Sequence, residues 1–217
     1  MQKTADIAGY GYRDAGASHA HAYLLPAVDQ ALKEFALRTG SRLAAFDLGC
    51  GNGFVAAHLS RAGYQVAGVD PSSDGIREAR AAHPDLRLET GSAYDDLVVQ
   101  YGTYPVVVSL EVVEHVYAPR HYAKTLFDLV EPGGIAIVST PYHGYLKNVA
   151  LAVTGRFDRH FNPLWDHGHI KFWSPATLSA LLREAGFSHI RLVMVGRFWG
   201  FAKSMIAVAE KDEDGSS

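Results

Sequence analysis

Residues 46–53 of this 217-residue chain read FDLGCGNG, the end of an apolar run followed by glycines at positions 49, 51 and 53. Glycines between a strand and a helix let the backbone turn sharply and let a ligand approach the main chain, while the helix N-terminus offers N–H donors. The helical pattern FVAAHLSRAG and a second apolar run, YQVAGVD, follow directly. The stretch therefore predicts a β-α-β unit with a ligand-binding turn.

Asp70 closes that second apolar run, 17 residues after Gly53. A carboxylate at this place can accept hydrogen bonds from ribose hydroxyls. The alternative is a tight turn with a coincidental aspartate. Nicotinamide-binding turns usually read GxGxxG, whereas here the third glycine comes one position early and Asp47 stands two residues before the first. The spacing argues against a nicotinamide-dependent oxidoreductase.

Apolar runs and helical patterns alternate on both sides of this unit. Residues 18–38 have apolar side chains at helical spacing, with Ser18 as a candidate cap and Pro26 expected to break or kink the helix. The strand patterns LRLET, YPVVVSL and IAIVSTP follow the unit, separated by helical stretches, and HIRLVMVGR and SMIAVAEK come last. The pattern predicts a doubly wound, mostly parallel α/β sheet with helices on both faces.

Length and composition favour one domain. A chain of 217 residues, 48% of them hydrophobic, can bury one sizeable core but not two. We predict a single domain over residues 1–217, with an aromatic-rich stretch that interrupts the strand–helix rhythm and forms a lid or substrate wall. The predicted parts are an N-terminal helical cap (1–40), a cofactor-binding core (41–140), this insert (141–173) and a C-terminal helix with strands (174–210).

Charge and cysteine content narrow the class of partner. A net charge of −3 and a pI near 6.4 leave no basic excess for a phosphate backbone, which disfavours nucleic acid. Cys50 is the only cysteine in the sequence, so neither an internal disulfide nor a CxxC zinc site can form. Because the start lacks a basic and apolar leader and no 18 apolar residues run together, we expect a cytoplasmic protein.

The acidic residue and glycine spacing of DLGCGNG resemble motif I of class I S-adenosylmethionine-dependent methyltransferases. The resemblance continues through GSAYDD, YPVVVSLEVVEHV, LVEPGGIAIVSTP and HIKFWSPATLSALLREAGF, and it is nearest to the ubiquinone-biosynthesis O-methyltransferase type. It implies a Rossmann-like sheet of seven strands with the last strand antiparallel. It also implies S-adenosyl-L-methionine as the cofactor and S-adenosyl-L-homocysteine as the product.

By the same resemblance, Asp47 lies near the amino group of the cofactor, Asp70 binds its ribose, and the segment at Ser92 binds its adenine. Many relatives have an aspartate where Ser92 stands, so Asp95, Asp96 or a main-chain carbonyl are alternatives for meeting the adenine amino group. The predicted cofactor-binding residues are Asp47, Gly49, Cys50, Gly51, Asn52, Gly53, Asp70, Pro71, Ser92, Ala93, Ser109, Leu110 and Glu111.

The segment SLEVVEHVYAPR, residues 109–120, allows three interpretations. If it is helical, spacings of three and four place Glu111, Glu114 and His115 on one face. Those side chains can be purely structural. Alternatively, His115 or His143 can act as the catalytic base on an acceptor hydroxyl. The third interpretation, which the resemblance supports, is a divalent metal such as Mg²⁺. Its ligands would be Glu111, Glu114 and His115 with His169 or His167.

The insert is rich in aromatic residues. The aromatic side chains suit a pocket for a flat or lipophilic acceptor. The segment YLKNVALAVTGRF can also form an amphipathic helix with at most peripheral membrane contact. The simpler alternative is that the insert packs over the edge of the sheet. We predict O-methylation of a hydroxyl on an aromatic or lipophilic small molecule by a monomer or homodimer. The alternatives are N- or C-methylation, or a non-catalytic cofactor- or partner-binding protein. An RNA methyltransferase is disfavoured because no basic groove is evident.

Overall fold

The computed structural model describes residues 15–16, 18–40, 43–157, 161, 168–197 and 202–213. Helices and strands alternate along the chain. In order they are α1 (His21–Thr39), β1 (Ala44–Leu48), α2 (Phe54–Arg61), β2 (Gln65–Asp70), α3 (Ser73–Ala82), β3 (Arg87–Thr90), α4 (Leu97–Tyr101), β4 (Tyr104–Leu110), α5 (Pro119–Leu129), β5 (Val130–Pro141), α6 (Tyr145–Val153), α7 (Pro175–Ala185), β6 (Ile190–Val195) and β7 (Ser204–Glu210).

The strands form a seven-stranded sheet in the order β3-β2-β1-β4-β5-β7-β6. Strands β1 to β5 pair in parallel, and β7 runs antiparallel to both of its neighbours, β5 and β6. The predicted doubly wound sheet with an antiparallel last strand is therefore confirmed. The strand order reverses between β1 and β4, and ligands of open α/β sheets bind at the carboxyl ends of strands beside such a switch point.

Apolar side chains cover both faces of the sheet, as a parallel sheet requires. On one face, α1, α2 and α3 bury residues that include Leu24, Phe35 and Leu59 against β1 and β4. On the other, α5 and α7 bury residues that include Tyr122 and Leu182. The two layers of helices hold the carboxyl ends of the strands in fixed positions. No helix among the described residues is long and apolar enough to cross a membrane.

Two helix boundaries show where local signals hold and where they fail. Helix α7 begins at Ser174, whose side chain accepts from the Thr177 N–H in a capping box, and ends at Gly186, as expected. Helix α1 instead starts after Ala20, without a side-chain cap, and runs through Pro26. Leu24 and its neighbours on the same face are buried, and this packing outweighs the one N–H bond that a proline removes.

Candidate active site

The glycine turn is tied to the end of β2 by backbone hydrogen bonds. The N–H groups of Gly49 and Cys50 donate to the carbonyl of Val69 at 2.8 and 3.0 Å. The Asp70 carboxylate accepts from the Gly51 N–H at 2.9 Å and from the Ser72 N–H at 2.8 Å. Burial raises the pKa of Asp70, and these two N–H bonds partly offset that effect. Asp70, the predicted ribose-binding residue, is thus hydrogen-bonded directly to the glycine turn.

Gly49 has little room for a side chain. Its φ is +89°, and a Cβ added there would lie 2.4 Å from Cγ2 of Val112. We expect Gly49→Ala to lower the free energy of unfolding by about 2–4 kcal/mol, as measured by chemical denaturation. Gly63→Ala is the matched control, because Gly63 has a φ of +95° and no atom within 4 Å of an added Cβ. An equal loss in both variants would contradict the close contact.

Asp47 lies beneath the turn and is buried. Burial, and then the negative charge of Asp70, raise the pKa of Asp47 to about 7. A hydrogen bond with the backbone of Ala56 lowers the pKa of Asp47 and so partly offsets this rise. In the folded protein the neutral acid is therefore favoured over a wide pH range. The position still agrees with the predicted role near the amino end of the cofactor, which stays a prediction.

A raised pKa makes Asp47 cost more stability as the pH rises. The penalty is absent below the unfolded pKa of 3.8, grows as the pH approaches the folded value of about 7, and is constant above it. We expect Asp47→Asn to stabilise the cofactor-free protein by roughly 2 kcal/mol more at about pH 8 than at about pH 5. Denaturation of both proteins at the two pH values measures this difference. A pH-independent difference would contradict it.

The loop after β3 brings the predicted adenine segment to the same edge. The Gly91 N–H donates to the Asp70 carbonyl at 3.1 Å. The Asp95 carboxylate accepts from the Ser92 N–H at 2.7 Å. Asp95 and Asp96 are the alternatives for binding the adenine amino group. One carboxylate oxygen of Asp95 is used within the loop, and the side chain of Asp96 does not cap α4. Pro71 directly follows Asp70 in the sequence, and Ala93 directly follows Ser92.

Ser109 lies at the end of β4 and is fully buried. Its hydroxyl donates to the Leu48 carbonyl at 2.7 Å and accepts from the Tyr122 hydroxyl at 2.9 Å. The side chain thus links β4 to the strand that leads into the glycine turn, and lining of the cofactor by Ser109 and Leu110 stays a prediction. Sequence reasoning missed Tyr122, since nothing in its helical pattern distinguishes it from a core residue.

The N-terminal segment meets the glycine turn from outside. The Asn52 side-chain amide donates to the Gly16 carbonyl at 3.0 Å. The ring of His21, at the start of α1, stacks on Phe54 with centroids 4.6 Å apart. These contacts place the beginning of α1 beside Asn52 and Phe54, so α1 borders the predicted cofactor-binding edge.

The expected helix after β4 does not form. Residues 111–117 make turns, and α5 begins only at Pro119. Glu111 has a φ of +56°, the one positive value at a non-glycine position in the described part of the chain. Its N–H donates to the Ser139 carbonyl and hydroxyl, and its carboxylate accepts from the same hydroxyl at 2.9 Å. These bonds tie the turn at Glu111 to β5.

Three of the predicted metal ligands nevertheless lie close together, although they do not share a helical face. One ligand atom each from Glu114, His115 and His169 lies within 4.8 Å of the others. The backbone brings the two segments together, because the Ile170 and Lys171 N–H groups both donate to the Glu114 carbonyl, at 2.9 and 3.0 Å. Nε2 of His169 lies 3.9 Å from Oε1 of Glu114. In the described ranges Glu111 is not part of this group, and His167 lies outside them.

The buried carboxylate of Glu114 fits a cation. Neither of its oxygens accepts a hydrogen bond of good geometry from a described group, and the Thr140 hydroxyl and the Glu114 N–H only partly counter the effect of burial on its pKa. Burial, followed by the charge of Glu111, raises the pKa of Glu114 well above its usual range. A buried carboxylate without well-placed donors is costly unless a positive charge compensates it. One carboxylate and two imidazoles fit a divalent transition ion such as Zn²⁺ or Fe²⁺, whereas Mg²⁺, the expected ion, prefers oxygen ligands.

The two candidate bases have different surroundings. Nδ1 of His115 lies 3.2 Å from the Gly168 carbonyl, which can only accept, so Nδ1 carries the proton and Nε2 of the neutral ring is basic. His143 is buried, with its ring 5.6 Å from that of Phe161 and 5.1 Å from that of Phe172. His143 does not join the Glu114–His115–His169 group among the described residues.

The chain is similar in sequence to a family of known proteins. The profile of a family described as "Methyltransferase domain" matches residues 18–192. Ubiquinone biosynthesis O-methyltransferases are similar in sequence: that of Ruegeria pomeroyi is 32% identical over 66% of this chain and 59% of its own length, and that of Caulobacter vibrioides is 33% identical over 71% and 65%. The chain thus spans about three fifths of the length of the curated relatives it matches.

Solved structures show the same fold. Magnesium protoporphyrin IX methyltransferase from Synechocystis, solved with bound S-adenosylhomocysteine, aligns with a TM-score of 0.63 and 23% identity over 86% of this chain and 83% of that one. A Pyrococcus horikoshii protein aligns with a TM-score of 0.66 and 18% identity over 93% and 95%. With the family profile covering most of the sequence, the chain belongs to the methyltransferase-domain family, the class I S-adenosylmethionine-dependent methyltransferases.

Proposed function

We propose that this protein transfers the methyl group of S-adenosylmethionine to a hydroxyl of a small aromatic or lipophilic acceptor. The observation that carries the proposal is the Glu114–His115–His169 group, which follows β4 at the carboxyl edge of the sheet. The cofactor is already activated, so positioning the acceptor in line with the sulfonium supplies much of the acceleration. A hydroxyl acceptor must also lose a proton, and this edge provides groups that can assist.

His115 supports the proposal as the residue that receives this proton. Its Nδ1 is fixed by the Gly168 carbonyl, so the basic nitrogen is Nε2. If a divalent ion binds instead, Glu114, His115 and His169 would hold it, and Nε2 of His115 would then be a metal ligand and not the base. Such an ion would lower the pKa of the acceptor hydroxyl. An amine acceptor arriving neutral would need neither, which is why these residues favour oxygen over nitrogen.

A cofactor-binding protein without catalytic activity is the second candidate. Its support is the Asp70–Gly51 hydrogen bond of the glycine turn, since this part of the chain could bind the cofactor without any acceptor. It predicts binding of S-adenosylhomocysteine and no methyl transfer to any acceptor.

Turnover with methyl-labelled cofactor and a panel of catechol-type and lipophilic phenols tests the proposal. We expect the label on an acceptor oxygen, and a loss of about 10²- to 10⁴-fold in kcat for His115→Ala. His83→Ala is a matched control, because His83 caps the far end of α3. Labelled product at a nitrogen or carbon, or His115→Ala turning over like the wild type, would contradict O-methylation assisted by this residue.

A further inference from the structure

A cavity of about 480 Å³ lies between α1 and the strands β5, β6 and β7. Its apolar lining consists of Ala31, Phe35, Ile135, Ile190 and Val208, all of them buried except the partly buried Ile190. Pockets for small organic molecules have volumes of about 300–1,000 Å³ and combine an apolar lining with a few polar groups. The volume and the lining therefore suit a small organic ligand.

The cavity lies at the opposite edge of the sheet from the glycine turn. Ile135 pairs with Glu210, the last residue of β7, and because β7 is antiparallel to β5 this pair lies toward the amino end of β5. The carboxyl end of β5, at Pro141, is about 20 Å away at the rise of a strand. Helix α1 borders both places, since His21 begins it beside the predicted cofactor-binding edge and Phe35 near its end lines the cavity. A ligand in this cavity would therefore leave the methyl-transfer edge open.

Two ion pairs join α1 to the strands around the cavity. Nη1 of Arg38 donates to Glu210 on β7 at 2.7 Å, and Nη2 of Arg191 on β6 donates to Glu34 on α1 at 2.7 Å. All four side chains line the cavity. The arginine side chains are 52% and 50% exposed, so a ligand entering from solvent can reach both of them.

The described hydrogen bonds leave more donors than acceptors available around the cavity. Each of the two guanidinium groups uses one of its nitrogens. Three of the four carboxylate oxygens are occupied, because Oε1 of Glu34 also accepts from the Gln30 amide at 2.8 Å. His189 is the remaining polar residue of the lining, and Arg42 and Asp214, close in sequence to α1 and β7, lie outside the described residues. The surplus of guanidinium donors favours an anionic ligand.

We propose that this cavity binds a small aromatic carboxylate at a site separate from that of methyl transfer. Guanidinium groups form paired hydrogen bonds with carboxylates and also stack on aromatic rings. The ring would lie against the apolar lining while the carboxylate pairs with Arg38 or Arg191. A cationic ligand would instead meet two guanidinium groups and a single unoccupied carboxylate oxygen, that of Glu210. The proposal goes beyond methyl transfer and does not require turnover.

Titration calorimetry of the full chain with cinnamate tests the proposal, and cinnamamide provides the same ring without the charge. We expect cinnamate to bind about tenfold more tightly than cinnamamide, and equally well when S-adenosylhomocysteine is saturating. Arg38→Gln and Arg191→Gln should each weaken the binding of cinnamate about tenfold. Arg120→Gln is the matched control and should bind as the wild type does, because Arg120 is also an exposed arginine in an ion pair, with Glu184, but lies on α5.

A variant that fills the cavity tests the place of binding without a change of charge. Ala31→Leu adds apolar volume to the lining and should abolish the binding of cinnamate. Cooperative unfolding in denaturant, as in the wild type, shows that this variant and the two arginine variants are folded.

Several results would overturn the proposal. They are no binding of cinnamate by the wild type, equal binding of cinnamate and cinnamamide, and an equal effect of Arg120→Gln and Arg191→Gln. Loss of cinnamate binding in Glu114→Gln, or on saturation with S-adenosylhomocysteine, would place the ligand at the methyl-transfer edge and overturn the proposal as well. If the wild type binds cinnamate but not S-adenosylhomocysteine, the proposed function fails and the proposal for this cavity stands.

Discussion

Asp70→Ala is expected to weaken S-adenosylhomocysteine binding by at least about a hundredfold. The carboxylate is the predicted acceptor for the ribose hydroxyls, and it also accepts hydrogen bonds from the Gly51 and Ser72 N–H groups of the turn. Removing it therefore takes away ligand contacts and leaves two buried donors without their acceptor. Titration calorimetry measures the change in affinity.

Asp74→Ala provides the control for this prediction. Asp74 is an exposed aspartate in the first turn of α3, and its described ion pair is with the exposed Arg77. We expect wild-type affinity for that variant, because neither residue touches the glycine turn. If Asp70→Ala also binds with wild-type affinity while remaining folded, the ribose would be bound elsewhere and the assignment of the cofactor edge would be wrong.

Glu114→Gln is expected to raise the stability of the protein and to lower its activity. The substitution keeps the shape of the side chain but removes a buried ionisable carboxyl group, whose pKa is raised by burial and then by the charge of Glu111. We expect the free energy of unfolding of the ligand-free protein at neutral pH to rise by about 1–3 kcal/mol. The loss of a ligand or proton acceptor should meanwhile lower kcat by roughly 10²-fold or more.

Denaturation curves and labelled-cofactor turnover, measured on the same preparation, test both halves of this prediction. Glu34→Gln serves as a control, since Glu34 pairs with Arg191 at an exposed position on α1 and should change neither quantity much. A less stable Glu114→Gln protein would mean that the carboxylate is compensated in the folded state. An active and more stable variant would make Glu114 a structural residue.

Much of the cofactor edge could be predicted from the sequence because its geometry is local. The glycine positions and Asp70 follow from one strand–turn–helix–strand unit, and in the structure the Gly51 N–H of the turn donates to the Asp70 carboxylate. The loop at Ser92 could be placed only relative to β3, and its support by Asp95 is a side-chain contact that no spacing reveals.

The Glu114 region could not be predicted in the same way. Helical periodicity grouped Glu111 with His115, but hydrogen bonds from the Glu111 N–H to Ser139 on the neighbouring strand accompany a left-handed conformation at Glu111, and the periodicity ends there. The partner of Glu114 is instead His169, 55 positions later, brought near by two backbone bonds. Such contacts depend on how the insert returns to the sheet, which is tertiary information.

Calorimetric titration of the purified wild-type protein with S-adenosylhomocysteine tests the central claim most directly. Binding to one site in the micromolar range, with Asp70→Ala as a non-binding control, is the result that the cofactor edge predicts. The absence of any binding heat across a range of temperatures, in protein that unfolds cooperatively, would contradict the assignment of this edge to S-adenosylmethionine.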